Sequence, residues 1–224
     1  MNATANNPWA AFLRFAGPRR PFVALGIAFA LGLITSAIGG HLIPMPLLSP
    51  GTTAPPMWRF FVLGPAVVSV TALYSPIESL EQVASSTFHA QQKIFLVLVT
   101  FSSCACFVAS VSLAFPSAMT AIMIRDFFGW LGIALAAGRM FGWRVCWILP
   151  VLVLVPMLYW GTADIDGNFP WWEFTARPIE DIGAAAGNVA LCLLGTLIYS
   201  LTPWRISSAR RLFKKPDFRN VQDT

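Results

Sequence analysis

The stretch IFLVLVTFSSCACFVASVSLAF, from Ile94 to Phe115, contains no charged residue. An apolar helix needs about 20 residues to cross a hydrocarbon layer that is roughly 30 Å thick, and this stretch is long enough. Of the 224 residues in the chain, 56% are hydrophobic and only 11% are charged, whereas a soluble domain has roughly 25% charged residues. A soluble fold could not bury so much apolar surface, so the sequence predicts an integral membrane protein.

Five other apolar runs accompany this stretch and are similar in length. They extend from Phe22 to Ile38, Trp58 to Tyr74, Ala118 to Gly138, Val145 to Trp160, and Ile182 to Leu201. The predicted fold class is therefore all-α: a polytopic membrane protein with about six transmembrane helices.

The distribution of Lys and Arg predicts the orientation, because cytoplasmic flanks retain positive charge during insertion. Six crossings place both ends on one side, and most basic residues then share that side: Arg14, Arg19, Arg20, Lys93, Arg139, Arg144 and the six basic residues after the last span. The other side has only Arg59 and Arg177, together with five of the ten acidic residues: Asp164, Asp166, Glu173, Glu180 and Asp181. We expect a multi-pass protein of the cytoplasmic membrane with cytoplasmic N- and C-termini, in contact with the lipid bilayer.

We expect one membrane domain, residues 21–203, between a cytoplasmic segment, residues 1–20, and a basic cytoplasmic tail, residues 204–224. In the first segment Trp9, Phe12, Leu13 and Ala16 recur at helical spacing, which predicts an interfacial helix. A loosely ordered anchor is the open alternative. The net charge of +5 follows from topology, and no nucleic-acid recognition motif is present, so no nucleic-acid partner is expected.

Residues 75–89, between the second and third spans, predict a short helix on the cytoplasmic surface. Ser75 and Glu78 form a capping box around Pro76. An apolar face and a polar face then follow at helical spacing: Ile77, Leu80 and Ala84 on one, and Glu78, Glu81 and Gln82 on the other. His89 and Lys93 lie where the chain turns into the third span.

Groups that could carry catalysis or bind a metal are scarce. His41 and His89 fall on opposite sides of the predicted membrane, and no hydrolase, zinc or phosphate-binding motif occurs. The four cysteines lie inside predicted spans and are interpreted as packing residues: Cys104, Cys106, Cys146 and Cys192. We therefore predict no catalytic residue and no metal site.

Arg125 and Asp126 lie inside the fourth span. Ionisable groups at membrane depth are costly unless paired or hydrated, so we expect them to face the bundle or a cavity. Consecutive helical residues diverge by about 100°, so the two need not pair with each other. A helix boundary near Met123, which would move both residues towards the outer interface, is the open alternative.

Small residues and prolines mark the last three spans. Gly129 to Gly138 in the fourth span and Gly183 with Gly187 in the sixth predict close helix packing. Pro150 and Pro156 predict an interrupted fifth helix. The segment Pro170, Trp171, Trp172 and Glu173 follows in the outer loop, where it predicts either a ligand-facing region or ordinary interfacial anchoring.

This order of parts resembles the permease subunits of ABC type-2 exporters. The motifs that carry the resemblance are Glu78, Leu80 and Glu81 in the inner loop, Arg125, Asp126 and Gly129 to Arg139 in the fourth span, and Trp171 with Trp172. The fourth-span pattern is similar to that of small actinobacterial permeases. A chain shorter than many members and a proline-rich first outer loop depart from the family.

The resemblance implies an ATP-driven exporter of a hydrophobic or amphipathic compound, such as a peptide, lipid or antibiotic. It implies that residues 75–89 form a coupling helix, in which Glu78, Leu80, Glu81, Gln82 and His89 contact a separate ATPase subunit. It also implies a second permease, identical or different, and re-entrant elements at residues 170–173. ATP and magnesium would bind the partner ATPase, and this chain would bind no cofactor and be no enzyme.

Two other functions stay open. A non-transporting membrane scaffold or immunity protein would be a stable monomer without an ATPase. An intramembrane enzyme is disfavoured by the poverty of catalytic groups.

Overall fold

The computed structural model describes residues 12–13, 15–46, 52–75, 86–161 and 169–201. The main elements in these ranges are six helices: α1 Pro21–Ile38, α2 Trp58–Thr71, α3 Ser86–Val111, α4 Ser117–Phe141, α5 Ile148–Trp160 and α6 Ile182–Leu201. Two 3-10 turns, Gly17–Arg19 and Trp143–Val145, precede α1 and α5. A small antiparallel hairpin, β1 Met45–Pro46 with β2 Thr52–Thr53, lies between α1 and α2 and pairs Met45 with Thr53.

The helices make this a multi-pass membrane protein. Five described stretches are long and apolar enough to cross a membrane: Gly17–Ile38, Ala90–Val111, Ser117–Phe141, Trp143–Trp160 and Ile182–Ser200. Of the six predicted spans, these five are long enough to cross a membrane. α2 has 14 residues, which gives about 21 Å at 1.5 Å per residue, less than the roughly 30 Å of hydrocarbon. It is shorter than predicted because the chain after Thr71 leaves the helix through turns.

α4 lies at the centre of the bundle. It packs most extensively against α6 and α2, while α1 packs mainly against α3. Asp126, Phe127, Trp130 and Ala134 on α4 are all fully buried. The first half of the helix therefore carries both an acidic group and large aromatic groups in the protein interior.

The closest approach between helices is between α4 and α6. A Cβ added to Gly132 would collide with the backbone of Leu191, and one added to Gly195 would collide with the backbone of Gly132. A Cβ on Gly187 would meet nothing within 4 Å. The small residues of α4 were predicted correctly, but Gly183 with Gly187 was the wrong pair on α6, because a Cβ on either would meet no atom of α4.

α5 continues through both of its prolines, contrary to the predicted interruption. Pro150 lies in the first turn, where the backbone needs no intrahelical donor, and Pro156 is accommodated inside the helix. The break in this span lies earlier, at the turn residues Cys146 and Trp147 between the 3-10 turn and α5.

The two predicted surface helices are described only in part. Residues 12, 13, 15 and 16 are helical, and Phe15 packs edge-on against Phe95 of α3 with ring centroids 5.7 Å apart. Residues 76–85 lie outside the described residues, and residues 86–89, predicted to end the coupling helix, instead begin α3. The predicted tail, residues 204–224, also lies outside the described residues.

Candidate functional site

Arg125 and Asp126 pair with each other in the interior of α4. The Arg125 Nε lies 3.0 Å from Asp126 Oδ1. Arg125 is eight residues beyond the first residue of α4, or about 12 Å along the helix. Both side chains face the bundle, as expected, and α4 is continuous past Met123, so the predicted alternative of a helix boundary there is wrong. The pairing itself was not expected, since it depends on the long arginine side chain folding sideways to its neighbour.

Arg125 also binds the loop that joins α5 to α6. We call its described part, residues 169–181, the outer loop. The guanidinium donates to the backbone oxygens of Phe174 at 2.8 Å, Arg177 at 3.0 Å and Pro178 at 3.0 Å. Buried backbone outside regular helix needs hydrogen-bond partners inside the protein. Arg125 supplies them for three carbonyl groups of this loop.

Glu173 of the outer loop reaches Arg59 at the start of α2. Glu173 is 0% exposed, Arg59 is 6% exposed, and Arg59 Nη2 lies 2.7 Å from Glu173 Oε2. A buried carboxylate pays a large desolvation cost, which a close cation and further hydrogen bonds can offset. This pair therefore fixes the outer loop to α2.

Thr175 completes the hydrogen bonding of this ion pair. Its hydroxyl accepts bonds from Arg59 Nε at 3.0 Å and Nη2 at 2.7 Å, and donates to Glu173 Oε1 at 2.7 Å. The same Oε1 accepts the backbone N–H groups of Thr175 and Ala176 at 2.8 and 3.0 Å. One oxygen of the Glu173 carboxylate thus binds the backbone of the turn that follows it, while the other forms the ion pair with Arg59.

Arg59, Arg125, Asp126 and Glu173 together form what we call the charge cluster. It contains two positive and two negative groups and so is formally neutral, and each buried charge has a partner of opposite sign. The end of α5 approaches the same place, because a Cβ on Gly161 would collide with Glu173 Oε2. The cluster therefore joins α2, α4, the end of α5 and the outer loop.

The outer loop enters α6 through a second ion pair. Arg177 Nη1 lies 2.7 Å from Asp181 Oδ2, and Arg177 Nη2 donates to the backbone oxygens of Phe169 and Pro170 at 2.9 and 3.0 Å. Asp181 Oδ1 accepts the Ala184 N–H at 3.0 Å, as a helix N-cap does. The hydrogen bond from Ala184, followed by that from Arg177, holds the pKa of Asp181 below its usual value.

The predicted outer segment divides between the interior and the surface. Glu173 points into the charge cluster, Pro170 and Trp172 are half-buried, and Trp171 is 87% exposed. The segment has a turn at Trp171 and Trp172. The Glu173 carboxylate makes its fully buried contact, while Trp172 packs partly against the core.

Basic residues predicted to share one face lie at the other end of the bundle, which we call the basic end. Arg19 and Arg139 are both within electrostatic reach of Tyr199 near the end of α6, and Tyr199 packs edge-on against Trp143 after α4, with ring centroids 5.7 Å apart. All four described acidic residues lie away from this end: Asp126, Glu173, Glu180 and Asp181.

The described residues contain no group of three or more His, Cys, Asp or Glu side chains that could hold a metal ion. The four cysteines, all in described helices or turns, are unpaired, as packing residues would be. The predicted coupling residues Glu78, Leu80, Glu81 and Gln82 lie outside the described residues, and His89 lies in the first turn of α3. The charge cluster is thus the candidate site that the described chain offers.

Sequence reasoning found half of this cluster. It placed Arg125 and Asp126 at depth but treated Arg59 as the edge of a span and Glu173 as part of an outer aromatic segment. One signal was available: Arg59 stands within an apolar stretch with no acid near it in sequence, so a buried arginine there needs a distant carboxylate.

Comparison with known proteins adds no family to this picture. No protein-family model matches the chain, and neither a curated protein nor a solved structure matches it.

Proposed function

We propose that this chain is the permease subunit of an ATP-driven ABC exporter of the type-2 class, moving a hydrophobic or amphipathic compound such as a peptide, lipid or antibiotic across the cytoplasmic membrane. The observation that carries the proposal is the outer loop between the last two spans. It folds against the bundle and is held there by the ion pair of Glu173 with Arg59 and by the hydrogen bonds of Arg125. The sequence resemblance implies an inward element at this place in the chain.

The arrangement of α2 supports six crossings. Its first turn carries Arg59 in the charge cluster, and at its last residue the Thr71 hydroxyl lies 3.3 Å from Cys146 Sγ, just after the basic end of α4. α2 thus reaches from the charge cluster to the level of Cys146, despite having 14 residues. Because the loop is folded inwards to meet it, a short helix suffices for a crossing.

The distribution of charge supports the proposed orientation. The basic end would face the cytoplasm, where positive residues are retained, and the outer loop would face the other side. The interfacial helix before α1 and the coupling helix at residues 75–89 belong to the same proposal. Glu78, Leu80, Glu81, Gln82 and His89 would contact the ATPase, and two permeases, identical or different, would enclose the path.

The first experiment tests the ATPase contact in the native complex. The complex is purified through a tag on this chain, and its cargo-stimulated or lipid-stimulated ATP hydrolysis is measured with Glu81→Arg. We expect an ATPase subunit to co-purify and the reversal to abolish most of the stimulation. Glu180→Arg, which changes an exposed acid in the outer loop, is the matched control and should retain it.

Other outcomes would replace the proposal. A stable monomer that recovers no ATPase would favour a scaffold or immunity protein. Chemical turnover by the purified single chain would favour an intramembrane enzyme. A stimulated complex that is indifferent to Glu81→Arg would reject the assigned coupling interface.

A further inference from the structure

An apolar cavity of about 580 Å³ opens near the basic end. Its walls are the helical segment before α1, the first turns of α1 and one face of α3. The lining residues used below are Phe12, Gly17, Arg20, Val23, Leu98 and Ser102. Small-molecule pockets typically enclose about 300–1,000 Å³, so the cavity is large enough for a substantial apolar group.

A second cavity lies on the other side of the first turns of α1. It encloses about 200 Å³ between α1 and the end of α2 and is bordered by Val68, Thr71 and Ala72. Arg20 and Val23 line both cavities, and the buried Arg19 also lines the second. One exposed cation therefore stands between two apolar spaces.

Arg20 differs from its neighbour Arg19 in what it does with its charge. Arg19 is buried, lies 3.8 Å above the Phe15 ring and donates to the Phe15 backbone oxygen at 2.8 Å. Arg20 is exposed, and no described acidic residue lies at this end of the bundle.

The backbone at Arg20 also sets it apart. Its φ is 48°, in the left-handed region, and it is the one residue other than glycine with positive φ among the described residues. A side chain in that region costs roughly 1–2 kcal/mol, and glycine would adopt it without the penalty. The unfavourable backbone conformation at an exposed cation is the reason to look for a role of this side chain.

We propose that Arg20 and its two flanking cavities bind one anionic phospholipid. The phosphate would contact the Arg20 guanidinium, and the part of each acyl chain nearest the headgroup would lie in one of the two cavities. Two apolar spaces that share one exposed cation, Arg20, match a molecule in which two chains meet at a single anionic phosphate. The site lies away from the charge cluster and does not depend on an ATPase partner, so it is independent of the proposed transport function.

The test uses the purified full chain in detergent, with dioleoylphosphatidylglycerol as the probe and dioleoylphosphatidylcholine as the zwitterionic comparison. Binding is measured by native mass spectrometry. We expect the wild-type chain to retain one phosphatidylglycerol in preference to phosphatidylcholine. We expect Arg20→Gly to weaken that binding about fivefold, the effect of one charge near a lipid surface.

Three variants separate this site from a general effect. Arg20→Gly should remain folded, because glycine accepts the left-handed turn, so its loss of lipid cannot be ascribed to unfolding. Arg144→Gln removes an exposed cation near the same end that lines neither cavity, and should bind like the wild type. Leu98→Trp fills the larger cavity and should weaken binding while leaving Arg20 in place.

Three results would overturn the proposal. Equal retention of both lipids by the wild type would show that charge is not recognised. An equal loss in Arg144→Gln would show a diffuse surface effect. Unchanged binding in Leu98→Trp would show that no chain occupies the larger cavity.

Discussion

Glu173 is fully buried, and its contribution to the stability of the fold depends on its ion pair with Arg59. Removing one partner of a buried pair leaves the other charge uncompensated, whereas replacing both with apolar groups can cost little. The pair is therefore expected to behave differently when it is broken and when it is replaced.

Glu173→Ala is expected to destabilise the protein by about 3–5 kcal/mol, because Arg59 would stay buried without its anion. The free energy of unfolding in detergent measures the effect. Glu180→Ala, at an exposed acid in the same loop, should change it by less than about 0.5 kcal/mol.

The double variant Arg59→Met with Glu173→Met tests the same pair from the other direction. It should recover most of the stability lost in Glu173→Ala, since no buried charge is left unpaired. A double variant as unstable as the single one would show that the loop needs the carboxylate's hydrogen bonds to Thr175 and Ala176 more than it needs charge balance.

Asp181 predicts a dependence of stability on pH. Its pKa is lowered in the folded protein by the Ala184 N–H and then by Arg177. Between the lowered pKa and its ordinary value of about 3.9, the unfolded chain binds more protons, so stability rises with pH in that range. The contribution is fully present above the ordinary value and is lost as the pH falls through the folded pKa.

Asp181→Asn should therefore be less stable than the wild type near neutral pH. The stabilities of the two proteins should converge as the pH falls below about 4, the ordinary pKa of Asp. Unfolding midpoints measured at a series of pH values from about 3 to 7 test this, because the range includes the ordinary pKa of Asp. A gap that persists unchanged at the acidic end would show that Asp181 acts through geometry alone.

At the scale of elements, the contact of α4 with α6 depends on glycine at particular positions. Cα–H groups of facing glycines can approach backbone oxygens closely, which helps helices associate where water is absent. Gly132 and Gly195 face each other in this way, and Gly187 does not.

Gly132→Ala and Gly195→Ala should each destabilise the protein by about 1–3 kcal/mol, because the added methyl group would meet backbone that cannot yield like a side chain. Thermal unfolding in detergent measures the loss. Gly187→Ala is the matched control on α6 and should be neutral or slightly stabilising, since alanine is the better helix former. Equal effects at positions 187 and 195 would contradict the helix contact described above.

Arg125 connects two elements, and lysine at this position would keep the charge but lose the fork that reaches three carbonyl groups. Arg125→Lys should therefore loosen the outer loop more than the bundle. Hydrogen exchange of residues 169–181 should accelerate while exchange within α4 stays close to wild type. Uniform acceleration would indicate global destabilisation instead.

At the scale of the whole molecule, the number of crossings depends on whether the short α2 spans the membrane. Three helices, α2, α3 and α4, separate the exposed residues Ala54 and Arg144. These two positions lie on opposite sides if α2 crosses and on the same side if it does not.

Single cysteines at Ala54 and Arg144, placed in a chain whose four native cysteines are replaced, should react with a membrane-impermeant thiol reagent from opposite sides. Intact cells should label Ala54→Cys, and Arg144→Cys should need permeabilised cells. Labelling of both positions from one side would reduce the six crossings to five.

The sequence by itself determined which segments of this protein form long apolar helices. A long apolar run in lipid is stable as a helix, because a helix satisfies its backbone hydrogen bonds within the run. The predicted ends of α6, Ile182 and Leu201, match the structure, and the predicted ends of α1 lie within one residue of it. The burial of Arg125 and Asp126 followed from the same cost of charge at depth.

The tertiary structure alone decided which groups meet. The pairing of Arg59 with Glu173 joins residues 114 positions apart, and no local pattern encodes such a contact. The choice of Gly195 over Gly187 depends on which face of α6 is turned towards α4, and the continuity of α5 through Pro156 depends on surroundings that tolerate a missing donor. Helices follow from local hydropathy and periodicity, whereas contacts between helices follow from packing geometry that only the folded chain has.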